Sequence, residues 1–317
     1  MAFRIYVPEP VEEAGIAYLR ERGHDVVLGS GTPPAETAAH LRKCDALFLR
    51  TLNVTAAMLE RAPKLKVIAR NGVGVDNVDL AAARRLGIVV TNSPVGNVEA
   101  VAEHTLGFII AAARHFHWCD RAVRGGNFAL RAHAVGCGLA GRTLGILGMG
   151  RIGSRVARKA ALGLDMKILA FDPFADPAPS GFAVEWADDR DALFRRADFV
   201  SVHLPLSDAT RKGIGDREFG LMKPSARFIN CCRGDLVDEA ALVRALAERR
   251  IAGAALDTFD PEPPLPDHPL FALDTVILSP HVAGASKEAA VRVALDAARG
   301  IDDVLNGRAP EFPVVVP

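Results

Sequence analysis

Three side chains that could bind a carboxylate and move a proton follow the ends of predicted strands in the last third of the chain. Arg233 follows the apolar segment RFINCC, where a guanidinium can hold a carboxylate through two parallel N–H bonds. His281 follows VILSP, and an imidazole that titrates near neutrality is suited to general acid–base catalysis. Glu262 lies in the loop DTFDPEP, where its carboxylate could fix the tautomer of His281 and favour the protonated ring. The alternatives are a salt bridge from Arg233 to Asp235 or Asp238, and a histidine with a purely structural role.

Two segments in the first third of the chain could bind an anion. Residues 71–76, NGVGVD, form a glycine loop after an apolar strand, and such loops present backbone N–H groups to small anions. We therefore predict that Gly72, Val73 and Gly74 bind a small anion such as a substrate carboxylate, the alternative being a plain turn. Arg50 ends the strand-like segment LFL, and it could either bind a substrate anion or form a surface ion pair.

A dinucleotide-binding pattern occupies the middle of the chain. The apolar strand LGIL runs into Gly148, Gly150 and Gly153, whose G-x-G-x-x-G spacing opens a predicted helix. Glycines allow the tight turn and the close approach of a pyrophosphate, and the helix amino terminus attracts its charge. A second strand ends at Asp172, 19 positions after Gly153, where a carboxylate binds a ribose 2′-OH and repels a 2′-phosphate. The cofactor is therefore predicted to be NAD; the alternative is an ordinary strand–turn–helix.

Other polar residues at strand ends have weaker assignments. Asp257, after the strand of GAAL, could accept a hydrogen bond from the nicotinamide amide, and His203 in VSVHLPL could be structural. His115 and His117 are too close in sequence to face one site on a helix, and no carboxylate cluster accompanies them. We therefore predict no metal site.

The order of apolar and amphipathic segments predicts an α/β protein with two doubly wound parallel-sheet domains. The smaller, flavodoxin-like substrate domain is expected to comprise residues 1–97 and 287–317 and to be discontinuous. The NAD-binding Rossmann domain is expected to comprise residues 98–286. One long helix is predicted from Val98 to Arg124, and the proline-rich segment 261–269 is predicted to be an ordered loop.

The composition excludes several classes of protein. The chain has 317 residues, half of them hydrophobic, and its formal net charge is zero, so no nucleic-acid partner is expected. No apolar run is long enough to cross a bilayer, and the amino terminus lacks a signal-peptide layout. Five cysteines without metal-type spacing are typical of reduced thiols, and we expect a cytoplasmic protein with no membrane partner.

Taken together, these segments resemble the D-isomer-specific 2-hydroxyacid dehydrogenase family. The matching segments are NGVGVDNVDL, TNSPVGNVEAVAEHTLG, GRTLGILGMGRIG, SVHLPL, INCCRGDLVDEAAL, GAALDTFDPEPP, HPLF and ILSPHVAGAS, in the order of the family. Within the family, the chain is most similar to the phosphoglycerate dehydrogenase and hydroxypyruvate/glyoxylate reductase branch. The segment from Arg50 to Thr55 resembles RSxTxVT of phosphoglycerate dehydrogenases, but Leu52 and Asn53 depart from it, which leaves recognition of a substrate phosphate open.

The resemblance implies roles for individual residues. It implies that Arg233, Glu262 and His281 are the catalytic set, and that Arg233 and His281 also contact substrate and cofactor. The remaining predicted cofactor contacts, beyond the three glycines, are Arg151, Ile152, Asp172, Leu204, Cys231, Cys232, Asp257 and Gly284. It also implies a homodimer.

We therefore predict reversible hydride transfer between NAD and a small 2-keto acid or D-2-hydroxy acid of the hydroxypyruvate, glyoxylate or 3-phosphoglycerate type. His281 would be the general acid in one direction and the general base in the other. The D stereochemistry is implied by the resemblance alone. The alternative function is a non-catalytic, NAD(H)-sensing interaction protein of the corepressor type on the same fold.

Overall fold

The computed structural model describes residues 2–31, 34–175 and 181–315. Its strands are β1 (Arg4–Val7), β2 (Asp25–Leu28), β3 (Ala46–Leu49), β4 (Val67–Arg70), β5 (Val89–Thr91), β6 (Thr143–Leu147), β7 (Lys167–Phe171), β8 (Val184–Trp186), β9 (Phe199–Val202), β10 (Arg227–Asn230), β11 (Gly253–Leu256) and β12 (Val276–Leu278). Its α-helices are α1 (Glu13–Glu21), α2 (Pro34–Leu41), α3 (Ala56–Leu59), α4 (Leu80–Arg85), α5 (Val98–Arg114), α6 (Phe116–Arg124), α7 (Arg151–Leu164), α8 (Arg190–Arg196), α9 (Asp216–Leu221), α10 (Glu239–Ala247) and α11 (Lys287–Leu305). Short 3-10 helices span Phe128–Ala132, Gly234–Leu236 and Pro269–Ala272.

The chain divides into two compact units, one of residues 1–98 and 284–317 and the other of residues 99–283. The first unit contains a parallel sheet in the order β2–β1–β3–β4–β5, the flavodoxin-like arrangement. Apolar residues of α11 pack with β1, β3 and β4, so the last helix belongs to the core of this unit.

The second unit contains a parallel sheet of seven strands in the order β12–β11–β10–β9–β6–β7–β8. Strands β9, β10 and β11 are buried along their whole length, as expected for a parallel sheet covered by helices on both faces. Strand order reverses between β6 and β9, and ligands of such sheets bind where the carboxyl ends of the strands meet this reversal. The prediction of two doubly wound parallel-sheet domains is confirmed.

The prediction of one helix from Val98 to Arg124 is wrong. His115 adopts a left-handed conformation with φ of 56°, which ends α5 and separates it from α6. The short strand β8 (Val184–Trp186) was also not predicted; its alternating, half-exposed residues give little apolar signal. Within the described ranges, no helix combines the length and apolarity needed to cross a membrane.

Candidate active site

The glycine loop after β6 has the geometry that the spacing predicts. Gly148 has a φ of +99°, and a Cβ there would lie 2.7 Å from the carbonyl oxygen of His203 after β9. A Cβ on Gly153 would lie 2.0 Å from the carbonyl oxygen of Gly148, so only glycine permits this packing of α7 on the loop. A Cβ on Gly150, by contrast, would meet no atom within 4 Å. Open space over the amino terminus of α7 fits a pyrophosphate, which would meet the free N–H groups there.

Asp172 follows β7, and its carboxylate is hydrogen-bonded to the glycine loop after β6. Its Oδ2 accepts a hydrogen bond from the N–H of Met149 (2.9 Å), and its Oδ1 accepts one from the N–H of Phe174 (2.9 Å). The carboxylate therefore stands beside the glycine loop, partly exposed, in the position from which a ribose hydroxyl can be bound. Arg151 and Ile152 are the first residues of α7 and lie next to Gly150, Arg151 being exposed and Ile152 partly buried.

The loop after β9 lies next to the glycine loop, at the point where strand order reverses in the sheet. The side chain of Leu204 lies 3.2 Å from the position of a Cβ on Gly148. Ser201 Oγ lies 2.9 Å from Nε2 of His203, and burial lowers the pKa of His203 to about 3. His203 therefore stays neutral, which agrees with a structural role.

His281 and Glu262 are in direct contact. Nδ1 of His281 lies 2.8 Å from Oε2 of Glu262, and both side chains are partly exposed. Burial alone would raise the pKa of Glu262, but the hydrogen bonds from His281 and from the N–H of Phe259, with the charges of His281 and Arg233, hold its pKa below the ordinary value. The result is an ionised carboxylate on one side of the imidazole. With Nδ1 bonded to Glu262, Nε2 is the nitrogen that can exchange a proton with another molecule.

Arg233 lies between β10 and the 3-10 helix Gly234–Leu236. Its backbone carbonyl accepts a hydrogen bond from Asn230 (2.8 Å), and its Nη1 donates to the carbonyl of Cys232 (2.8 Å). A Cβ on Gly234 would overlap the backbone of Phe259 at 2.0 Å, so the loop that carries Glu262 is pressed against the residue that follows Arg233. One unit thus contains Arg233, Glu262 and His281, although 48 positions separate the first from the last.

Asp257 is fully buried, and both of its oxygens are engaged by the loop of His281. Oδ1 accepts from the N–H of Val282 (2.9 Å) and from the hydroxyl of Ser279, and Oδ2 accepts from the N–H of Ala283 (2.8 Å). The carbonyl of Asp257 accepts from the N–H of His281, which has a φ of 52°. These bonds fix the backbone on both sides of His281.

The hydroxyl of Ser279, which donates to Asp257, also contacts a residue of α5. Nε2 of His104 lies 3.1 Å from Ser279 Oγ. The sequence interpretation missed His104, because a contact across 175 positions leaves no local pattern.

Cys231 and Cys232 follow β10 as expected, and both are free thiols. Burial raises the pKa of Cys231, and it raises the pKa of Cys232 to about 11. Both groups are therefore protonated at neutral pH. They can line a cofactor site but are poor nucleophiles.

The predicted substrate residues lie in the first unit. The N–H of Gly72 donates to the carbonyl of Arg70 (2.9 Å), and the carbonyl of Val73 accepts from Asn92 (2.6 Å). In the part of the chain that the structure describes, the N–H groups of Val73 and Gly74 have no acceptor, so these two remain for an anion.

Two other predicted site residues also belong to the first unit. Arg50 is exposed after β3, and its Nη1 lies 3.4 Å from the carbonyl of Pro10. A Cβ on Gly284 would lie 2.7 Å from Asn97, so Gly284 belongs to the same unit as Asn97.

Comparison with known proteins agrees with this geometry. Residues 106–283, more than half of the chain, match the model of the D-isomer specific 2-hydroxyacid dehydrogenase, NAD binding domain. The chain belongs to this family. The predicted resemblance is therefore confirmed, as is the prediction of a NAD-binding domain.

Relatives in the family cover nearly the whole chain. It is 40% identical over 316 residues to the D-3-phosphoglycerate dehydrogenase of Methanocaldococcus jannaschii, which covers 99% of this chain, while the chain spans 60% of that protein. It is 43% identical over 287 residues to the glyoxylate reductase of Aeropyrum pernix, covering 88% of this chain and 85% of that one. A crystal structure of a protein from Thermus thermophilus superimposes with a TM-score of 0.92 at 36% identity, covering 98% of this chain and 100% of that chain.

Proposed function

We propose that the protein is an NAD-dependent D-2-hydroxyacid dehydrogenase that reduces a small 2-keto acid, and that it works in both directions. The observation that carries the proposal is the 2.8 Å contact between His281 and an ionised Glu262. The positive charge of Arg233 also lowers the pKa of Glu262. An acid–base group, its orienting carboxylate and a carboxylate-binding cation are the set that this reaction requires.

The bound dinucleotide would supply the hydride for reduction and accept it in oxidation. Arg233 would bind the substrate carboxylate and stabilise the negative charge that grows on the keto oxygen. His281, oriented by its contact with Glu262, would donate the proton from Nε2 to that oxygen and would take it back in oxidation. The N–H groups of Val73 and Gly74 would also bind the substrate carboxylate.

The two units would divide this work. We propose that the first unit, with Gly72–Gly74 and Arg50, serves the substrate, and that the second unit binds NAD. Asp172 would select NAD over NADP, because its charge repels a 2′-phosphate.

We also propose a cytoplasmic homodimer. Helix α6 buries none of its residues within the chain, and Phe116, Val123 and Phe128 are 53%, 59% and 65% exposed. Large apolar side chains exposed on α6 and just after it favour coverage by a second copy. Light scattering should give twice the 33.7 kDa chain mass, and Phe128→Glu should shift the mass toward one chain.

The loss of NADH absorbance at 340 nm tests the proposed reaction. The enzyme is mixed with hydroxypyruvate, glyoxylate, phosphohydroxypyruvate, pyruvate and phenylpyruvate in separate assays. The proposal expects steady NADH oxidation with at least one keto acid. Tight NADH binding with no turnover across the panel would favour the sensing protein instead.

A further inference from the structure

A second histidine–carboxylate pair, more buried than the first, holds the loop that carries Glu262. Glu239, the first residue of α10, accepts a hydrogen bond from the N–H of Asp260 on Oε1 (2.9 Å). Its Oε2 lies 2.9 Å from Nε2 of His268, and the side chains of the two residues are 12% and 10% exposed. One carboxylate therefore bonds both the beginning and the end of the loop that contains Glu262.

The hydrogen bonds of His268 fix its tautomer. The N–H of Leu270 donates to Nδ1 (3.3 Å), so the proton of the neutral ring is on Nε2 and points at Glu239. The ring also contacts Phe259 and Phe271, with centroid separations of 6.4 and 5.6 Å. His268 is thus locked by packing and by hydrogen bonds at both nitrogens.

We propose that Glu239 and His268 are positioning residues for Glu262, and through it for the proton transfer by His281. The proposal rests on the function proposed above. The chain of contacts is short: Asp260 is two residues from Glu262, and the N–H of Phe259 itself donates to Oε1 of Glu262 (3.0 Å). Release of the loop from Glu239 would therefore free the carboxylate that orients the imidazole.

A role in capping α10 does not explain Glu239. The cap of that helix is Asp238, whose side chain accepts from the N–H of Ala241 (3.2 Å). Both oxygens of Glu239 instead point to the loop.

Two variants of His268 separate the hydrogen bond from the packing. His268→Phe keeps a ring between Phe259 and Phe271 and removes both nitrogens, whereas His268→Gln keeps an amide donor near Nε2. We expect kcat for keto-acid reduction to fall roughly ten- to hundredfold in His268→Phe, with partial rescue in His268→Gln. The Kd for NADH should stay within about twofold in both, since neither group belongs to the glycine loop.

A matched control is His40→Phe. His40 also stacks on an aromatic ring, that of Tyr6 at 4.5 Å, and also faces a glutamate, Glu36 at 3.9 Å, but it lies in the first unit. Its replacement should leave kcat unchanged.

The decisive test combines His268→Phe with Glu262→Gln. If His268 acts through Glu262, the double variant will have a kcat close to that of Glu262→Gln alone. Hydrogen exchange of residues 257–270, measured without substrate, should be at least about tenfold faster in His268→Phe than in the wild type. Multiplicative losses of kcat in the double variant, or unchanged hydrogen exchange, would overturn the proposal. If the wild type shows no turnover, the proposed function is contradicted. The hydrogen-exchange result then tests by itself whether His268 holds the loop.

Discussion

The two halves of the large sheet build their sites in different ways. On the β6–β7 side, the glycine loop and Asp172 lie within 25 consecutive residues, and one strand–helix–strand unit places them. On the β10–β12 side, the candidate residues Arg233, Glu262 and His281 come from three separate loops. Carboxylates of Glu239 and Asp257 hold the second and third of these loops. A nucleotide site can thus be specified by local spacing, whereas an acid–base site depends on distant groups that fix the loops.

The largest expected effect is on the acid–base side. His281→Ala removes the group proposed to donate and take the proton, so kcat should fall by about two to four orders of magnitude. The Kd for NADH, measured by fluorescence titration, should change little because the glycine loop is intact. His133→Ala, at an exposed loop position, is the control. Near-normal turnover of His281→Ala would assign proton transfer to another group.

The variant Asp257→Asn tests whether Asp257 supports the acid–base side of the sheet or the cofactor side. An amide cannot accept from Val282, Ala283 and Ser279 as a carboxylate does, and a buried N–H left without an acceptor is costly. We expect kcat to fall roughly ten- to hundredfold, with a smaller change in the Kd for NADH. A loss confined to NADH affinity would instead make Asp257 a cofactor contact, as the family resemblance implies.

A smaller effect is expected at the nucleotide side. Asp172→Ala removes the charged acceptor proposed for a ribose hydroxyl and the bond to the N–H of Met149, so NADH affinity should fall by roughly tenfold. The preference for NADH over NADPH should narrow, because the charge that repels the 2′-phosphate is gone. Steady-state KM values for NADH and NADPH, measured in the wild type and in the variant, test this prediction. An unchanged preference would place the selecting group elsewhere.

The same contrast explains what could be predicted from the sequence. Alternating apolar strands and amphipathic helices predicted both parallel sheets, and the spacing of Gly148, Gly150 and Gly153 predicted the turn that the structure shows. Strand ends indicated Arg233 and His281 as candidate site residues, because the carboxyl ends of parallel strands share one edge of a sheet.

What the sequence did not reveal depends on contacts between distant residues or on a single backbone torsion. The sequence pattern around His268 indicates only a surface or loop residue, yet its ring is bonded to Glu239, 29 positions earlier. The break at His115 arises from one left-handed residue in an otherwise continuous helical pattern, which hydrophobic periodicity cannot detect. Glu262 could be identified by its loop, but its contact with His281 needed coordinates.

The most direct test of the account is the pH dependence of kcat/KM for keto-acid reduction in the wild type and in Glu262→Gln. Because the pKa of Glu262 lies below its ordinary value, this carboxylate stays ionised across the neutral range and does not itself titrate there. Glutamine removes the negative charge that lies 2.8 Å from Nδ1 of His281, so the pH dependence of reduction should differ between the two proteins. Profiles with the same midpoint in both proteins would contradict the assignment of Glu262 and His281 as a coupled acid–base pair.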